Sequence, residues 1–210
     1  MIRVLVVDDH TIFRSGVQRL LLDEHDIRVT GEARNGSEAL EQVRAHAFDV
    51  VLLDINMEGR SGLDVMASLR ATSGCPPVLV LSMYPEEQYA LVAVQAGANG
   101  YIGKDAEAAE LVRAIRLVSS GGNYLSALAA PLVQNQLRGH DARPAHQRLS
   151  VREHQIMLML LKGMSVTAIG EEMLISVKTV STHRTNLLEK LKVESTAELV
   201  LYAVRQGIID

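Results

Sequence analysis

The chain has 210 residues and a mass of 22.9 kDa, enough for two ordinary domains, with 48% hydrophobic and 22% charged residues as in a globular protein. One cysteine, Cys75, excludes an internal disulfide framework and fits a reducing compartment. No stretch approaches the roughly 20 apolar residues of a membrane span, and no apolar signal segment precedes the first strand pattern, so a cytoplasmic protein without a membrane partner is expected. Aromatic residues make up 3% with no Trp, which leaves the cores to Leu, Val, Ile, Met and Ala. The net charge of −4 is unevenly spread: residues 1–124 hold 11 Lys/Arg and 17 Asp/Glu, residues 148–210 hold 8 and 7. The acidic half is a poor nucleic-acid binder, and the near-neutral tail can bind one only through a local basic face.

Ile2–Val7 reads as a first strand and ends in the pair Asp8-Asp9. Thr11–Asp23 carries Ile12, Phe13, Val17, Leu20 and Leu21 at the spacing of an amphipathic helix. Ile27–Thr30 is a weaker second strand, and Asn35 with Glu38 opens a helix that runs to about Ala45. Asp49–Asp54 is an apolar run of four closed by a carboxylate, the pattern of a strand buried on both faces of a parallel sheet. A helix over Gly62–Ala71, a strand Val78–Leu81 closing in Ser82, a helix from Pro85 to near Gly97, a short strand Gly100–Ile102 and a helix from Asp105 to about Ser119 complete the first half. Five alternations of strand and helix predict a doubly wound parallel sheet over residues 1–121.

Ser119-Ser120-Gly121-Gly122 marks the exit, and residues 122–147 are expected to be a linker in which Ala127–Leu137 can form a helix. A second domain over 148–210 opens with a capping box, Ser150 to Glu153. Short helices follow over Ser165–Leu174, Val177–Leu191 and from Ser195 to about Gln206. The tight turn at Ile175-Ser176 gives this all-α unit the form of a helix-turn-helix.

In a doubly wound sheet the carboxyl ends of the strands converge on one edge. The residues expected there are Asp8, Asp9, Asp54, Ser82 and Lys104. Singly, these read as a helix cap, a strand-end cap and a surface lysine. Together they form a constellation. Three carboxylates in one crevice repel each other, so a hard divalent cation is expected among them, and Mg²⁺ suits carboxylate and carbonyl ligands beside phosphate oxygens. A phosphoryl group on Asp54 would find an ammonium at Lys104 and a hydroxyl at Ser82.

Val-Asp-Asp-His at 7–10, Leu-Leu-Asp-Ile-Asn-Met at 52–57, Leu-Ser-Met-Tyr at 81–84 and Gly-Tyr-Ile-Gly-Lys-Asp at 100–105 resemble the receiver domain of two-component response regulators. The resemblance covers residues 1 to about 120. It implies a flavodoxin-like sheet, phosphorylation of Asp54 by a histidine kinase, Mg²⁺ held by Asp8, Asp9, Asp54 and the Asn56 carbonyl, and a switch pair of Ser82 and Tyr101. Glu58 stands where proline is frequent and Gly103 where an apolar residue precedes the lysine, so looser loops are expected.

Along Val177–Leu191, about 22 Å of helix, Val177, Val180, Leu187, Leu188 and Leu191 can face a core. Lys178, Thr179, Ser181, Thr182, His183 and Arg184 are left for a partner, and no carboxylate falls between Lys178 and Leu188, as suits a helix in the major groove. Leu-Ser-Val-Arg-Glu at 149–153, Ile-Gly-Glu-Glu-Met at 169–173 and Ile-Ser-Val-Lys-Thr-Val-Ser-Thr-His at 175–183 resemble the LuxR-type DNA-binding domain, with Gly170 in place of a commoner alanine. Both halves together resemble NarL/FixJ-type regulators. The resemblance implies transcriptional control from a two-fold DNA site, with a homodimer in the phosphorylated state. Lys178 and Arg184 are expected at phosphates rather than bases.

The expected mechanism draws Ser82 and Lys104 toward the phosphoryl group and turns Tyr101 inward. Two other classes were weighed. Aspartyl-phosphate phosphatases place a second carboxylate two residues after the nucleophile, where this chain has Asn56. A constitutive DNA binder would not need the acidic set.

Overall fold

β1 (Ile2–Val7), β3 (Val50–Asp54), β4 (Val78–Ser82) and β5 (Gly100–Gly103) are apolar runs with almost every residue buried, while β2 (Ile27–Ala33) alternates with solvent. That difference suits β2 to an edge; the strand order is β2-β1-β3-β4-β5, all parallel, with β1, β3 and β4 inside and the short β5 at the other edge. The computed structural model describes residues 1–57, 62–72, 74–127, 129–131, 134 and 144–209, without the side chains of 63, 64, 87 and 88. Two compact units are separated at residues 141/142.

Pleating divides the first unit into two layers. Val4, Val6, Val50, Leu52, Leu79, Leu81 and Ile102 pack with Val17 and Leu21 of α1 (Thr11–Leu21) and Leu111, Val112, Ile115 and Val118 of α5 (Ala108–Ser119). Leu5, Val7, Val51, Leu53, Val80 and Tyr101 point the other way and are also buried, on the side of α2 (Gly36–Ala45), α3 (Gly62–Arg70) and α4 (Glu86–Gln95). Because the strand order reverses between β1 and β3, the crevice above their carboxyl ends is the place where such sheets hold ligands.

Local signals set most boundaries. Asn35 caps α2 by accepting from the Glu38 N–H, and Glu38 accepts in return from the Arg34 N–H and the Asn35 amide. α5 starts at Ala108 rather than Asp105, because Ala106 N–H bonds back to the Gly103 carbonyl and Glu107 is the residue before the helix. The boundary expected at 121 also moves. Tyr124 bridges to Gly100 beside β5, its phenol donates to Glu110, Ser126 donates to Glu86, and Ala129 is fully buried. A tyrosine and a small apolar side chain give this stretch something to bury, so residues 122–126 pack on the sheet unit and do not act as a free linker. The rest of the expected helix at Ala127–Leu137 lies largely outside the described residues, as does Glu58.

The second unit has a 3₁₀ turn at Ala145–Arg148 and helices α6 (Val151–Leu161), α7 (Val166–Glu172), α8 (Val177–Leu191) and α9 (Thr196–Arg205). Ser150 and Glu153 form the capping box, and Glu153 also accepts from Lys190 at 2.7 Å, tying α6 to the end of α8. Leu149, Ile156, Met157, Ile169, Val180, Leu187, Leu191 and Leu199 form its core. His154 is buried there, and burial together with the nearby His146 depresses its imidazole to about 4. The proton therefore favours the unfolded chain. Stability contributed by neutral His154 is complete above the ordinary histidine value near 6.5 and is lost as the pH falls toward about 4. The urea midpoint of the helical unit, followed by circular dichroism in the full chain, is expected to fall across this window. In His154→Gln the fall is expected to shrink.

Candidate functional site

Asp8 follows β1, Asp54 closes β3 and Lys104 follows β5, and the sheet brings them into one crevice. Lys104 Nζ lies 2.7 Å from Asp8 Oδ2 and 2.7 Å from Asp54 Oδ2, and all three side chains are almost wholly buried. Burial pushes the Asp54 carboxyl up, against the pull of the Lys104 ammonium and of the Asn56 N–H that donates to Oδ1 at 2.9 Å. Burial works against the Lys104 ammonium as well, but the two carboxylates outweigh it and hold the group above its ordinary value. The charge on the lysine is thereby favoured, while burial disfavours a charge on Asp54. Asp9 stands at the rim, partly exposed.

Ser82 ends β4 with no exposure, and its Oγ accepts from the Tyr84 N–H at 3.1 Å. Its carbonyl accepts from the Lys104 N–H at 2.8 Å, so the loop at Gly103 is anchored beside the lysine in spite of the missing side chain. Tyr101 points inward. Its ring is fully buried and its phenol donates to the Tyr84 carbonyl at 2.9 Å, with burial pushing its proton affinity up.

In the second unit α8 exposes Lys178, Thr179, Ser181 and Thr182 together, with His183 half-buried beside them. Arg184 is half-buried and donates to Thr196 Oγ1 at 3.1 Å, toward the start of α9. Val177, expected in the core, is 46% exposed although it stands beside Gly170 of α7, whereas Val180 is fully buried. Gly170 does not loosen the scaffold. Its carbonyl accepts from the Ile175 N–H, and a Cβ there would sit 3.0 Å from the Ile175 oxygen, so glycine lets the turn between α7 and α8 close.

Residues 4–116 match the response regulator receiver domain, and residues 147–203 match the bacterial regulatory proteins of the LuxR family. The chain is a two-component response regulator. It belongs to the class that joins a receiver to a LuxR-type DNA-binding domain and regulates transcription. It is similar to the response regulator UvrY of Escherichia coli O6:H1, 38% identical over 211 residues that cover 100% of this chain and 97% of that one. It is also similar to the response regulator GacA of Pseudomonas viridiflava, 40% identical over 215 residues covering 100% and 99%. Among solved structures it is similar to that of ChrA, a response regulator in a heme-sensing two-component system, with 34% identity, coverage of 99% and 98%, and a TM-score of 0.54. No described helix is long and apolar enough to cross a membrane.

Receiver domains bind Mg²⁺ at an acidic pocket, and the donor set of this response regulator suits such an ion. Asp8, Asp9 and Asp54 offer carboxylate oxygens within 4.8 Å of one another, and His10 adds a ring nitrogen within the same span. Four residues beside the site escaped the sequence reading. His10 is one. Arg14 is buried on α1 and donates to the Asp8 carbonyl at 2.8 Å, to Thr11 and to Glu32 on β2, which fixes the chain that carries Asp8. Phe13 presents its ring 4.5 Å from Lys104 Nζ. Tyr84 donates from its phenol to the Asn56 amide oxygen at 3.2 Å and stacks on Tyr89. Tyr84 and His10 stood within the motifs at 81–84 and 7–10 without a role of their own. Phe13 and Arg14 sit at helical positions where spacing carries no sign of such a task.

Gly62 closes the site from beneath. A Cβ there would meet the Asp54 carbonyl oxygen and lie 2.6 Å from Ile55 Cα, atoms of the backbone that cannot step aside. Gly62→Ala is expected to destabilise the fold by about 1–3 kcal/mol, as overpacking does, and to weaken Mg²⁺ binding by displacing Asp54. Urea unfolding and a Mg²⁺ titration check the two effects, and an unchanged Mg²⁺ affinity would remove Gly62 from the support of the site.

Proposed function

We propose that Asp54 accepts a phosphoryl group from a sensor histidine kinase in the cytoplasm and that this modification controls binding of DNA by α8. The observation that supports it most is the buried contact of one ammonium with two carboxylates. A lysine already seated on Asp54 needs only a small displacement to meet an oxygen of a phosphoryl group carried there. The Asp54 oxygen forms the new P–O bond as the P–N bond to the kinase imidazole breaks. Lys104 then pairs with one phosphoryl oxygen and the Ser82 hydroxyl donates to another. Mg²⁺, held by the carboxylates of Asp8, Asp9 and Asp54 and by the Asn56 carbonyl, supplies neutralisation of the phosphoryl charge. The same groups assist the later hydrolysis of the acyl phosphate, so the receiver acts on itself and on no outside substrate.

The added charge is about −1.5 to −2. Moving Ser82 Oγ onto it withdraws the acceptor of the Tyr84 N–H, while Tyr101 keeps hold of the Tyr84 carbonyl. The loop from Met83 to Pro85 is re-formed, and with it the start of α4. Shifting a two-state equilibrium from 1:99 to 99:1 takes roughly 5.5 kcal/mol, and homodimerisation on a two-fold DNA site supplies part of it. The receiver is built on residues 1–121, with 122–126 packed on it, and the DNA-binding domain on 148–210, with the rest of 122–147 between them. On DNA, Thr179, Ser181, Thr182 and His183 face base edges, and Lys178 and Arg184 touch phosphates.

Asp54→Asn is expected to take up no phosphoryl group from a phosphorylated kinase or from acetyl phosphate. Its DNA affinity is expected to stay fixed under conditions that raise that of the wild type at least about tenfold, which is 1.4 kcal/mol. Equal affinities for both proteins under those conditions would end the switch and spare the DNA-binding domain. Lys178→Ala is expected to weaken binding to all sequences alike and to lower the log–log salt slope by about 1. An unchanged slope, read by fluorescence anisotropy at several salt concentrations, would take Lys178 off the phosphates.

A further inference from the structure

The junction between β1 and α1 brings a nitrogen to the acidic crevice. His10 is the residue before α1, and its Nδ1 lies 2.8 Å from Asp9 Oδ1 and 3.2 Å from Asp8 Oδ1. Two ligand atoms on neighbouring vertices of a cation, with bonds of about 2.1 Å, are about 3 Å apart. Both spacings are those of a hydrogen bond to a carboxylate and equally those of a coordination edge, and Asp54 offers a further oxygen within 4.8 Å. The two cationic positions do not compete for one atom of Asp8: Lys104 takes Oδ2, and the imidazole stands at Oδ1. The His10 N–H also donates to Asp8 Oδ1 at 2.8 Å, which fixes the turn that aims the ring. The side chain makes no capping bond to α1. It is 66% exposed, so an ion can reach it from solvent.

We propose that His10 is a nitrogen ligand of the receiver's cation pocket and that the pocket thereby takes borderline divalent cations, such as Co²⁺ and Ni²⁺, in preference to Mg²⁺. This rests on the crevice being the divalent-cation site. Carboxylates alone suit Mg²⁺ and Mn²⁺, whereas imidazole suits later first-row ions, whose affinity for a mixed nitrogen and oxygen set rises toward the end of the series. Mg²⁺ gains little from the ring, because it prefers oxygen and keeps its waters.

The test uses the untagged full chain, its His10→Ala, His10→Asn and Asp54→Asn variants, and calorimetric titration with MgCl₂ and NiCl₂. Asparagine is a favourable residue at a helix start and guards against loss of the fold. The ratio of Ni²⁺ to Mg²⁺ affinity is expected to fall by at least about tenfold in both His10 variants, in line with the loss of one ligand interaction. The absorption of the Co²⁺-loaded wild type is expected to change in both, and Asp54→Asn is expected to weaken Ni²⁺ binding as well. A ratio that is the same in wild type and both His10 variants overturns the assignment while Mg²⁺ binding persists. Ni²⁺ binding that depends on His10 and ignores Asp54→Asn overturns it too, by locating the ion elsewhere. Absence of Mg²⁺ binding in the wild type overturns the cation pocket itself, and the two failures are thereby distinguished.

Discussion

Everything in the first unit is arranged around one ammonium shared by two carboxylates in a place nearly closed to water. Burial and the nearby Asp8 carboxylate both disfavour the charge on Asp54. Lys104 offsets both effects, and the loss of one partner of such a buried set typically costs about 3–5 kcal/mol because a charge is left without compensation. The contact depends on distant parts of the chain. Asp54 and Lys104 are 50 residues apart and meet only because the ends of β1, β3 and β5 open on the same crevice. Arg14 holds the Asp8 carbonyl from one side, and the Ser82 carbonyl holds the Lys104 backbone from the other.

The helical unit solves a smaller problem by similar means. With few aromatic residues it relies on helix ends to fix its geometry. Ser150, Ser165, Ser176 and Ser195 each accept from a backbone N–H two or three residues into the helix they precede. Glu153 completes one cap and, by accepting from Lys190, links two helices. Glu198 acts one residue further out than its pattern suggests, accepting from the Glu194 N–H. On the exposed face of α8, the hydroxyls of Ser181, Thr182 and Thr185 donate to carbonyls of their own helix, while Arg184 and Lys190 reach neighbouring helices.

What could be read from the sequence follows a physical divide. Strands buried on both faces announce themselves as apolar runs, and a carboxylate, a serine or a lysine at the end of each run is visible as an interruption. The acidic crevice was therefore legible, and the serine caps also, because each depends on residues close in sequence. Arg14 was not, since a basic residue among the polar positions of an amphipathic helix looks the same whether solvated or buried under a neighbouring strand. Tyr124 was hidden for a related reason: a single bridge to Gly100 has no period, and it follows two glycines and an asparagine that read as an exit. Val177 misled in the opposite sense, because helical phase does not show how much of a first-turn residue the neighbouring helix covers. That Tyr101 is buried and bonded to the Tyr84 carbonyl was not legible either, for a sequence carries no information on which rotamer the surroundings favour.

The treatment of the two sheet margins has a consequence for how copies of the protein can meet. An unpaired strand invites another strand, and the resulting growth has no natural end. Here β5 has four residues and is partly covered by Tyr124, while β2 carries exposed Arg28, Thr30 and Glu32 and a register shift against β1 between Val4 and Leu5. Charge, shortness, cover and an irregular ladder all discourage strand addition. Open-ended polymerisation through the backbone is thereby disfavoured, and contacts between copies are left to helix faces and loops.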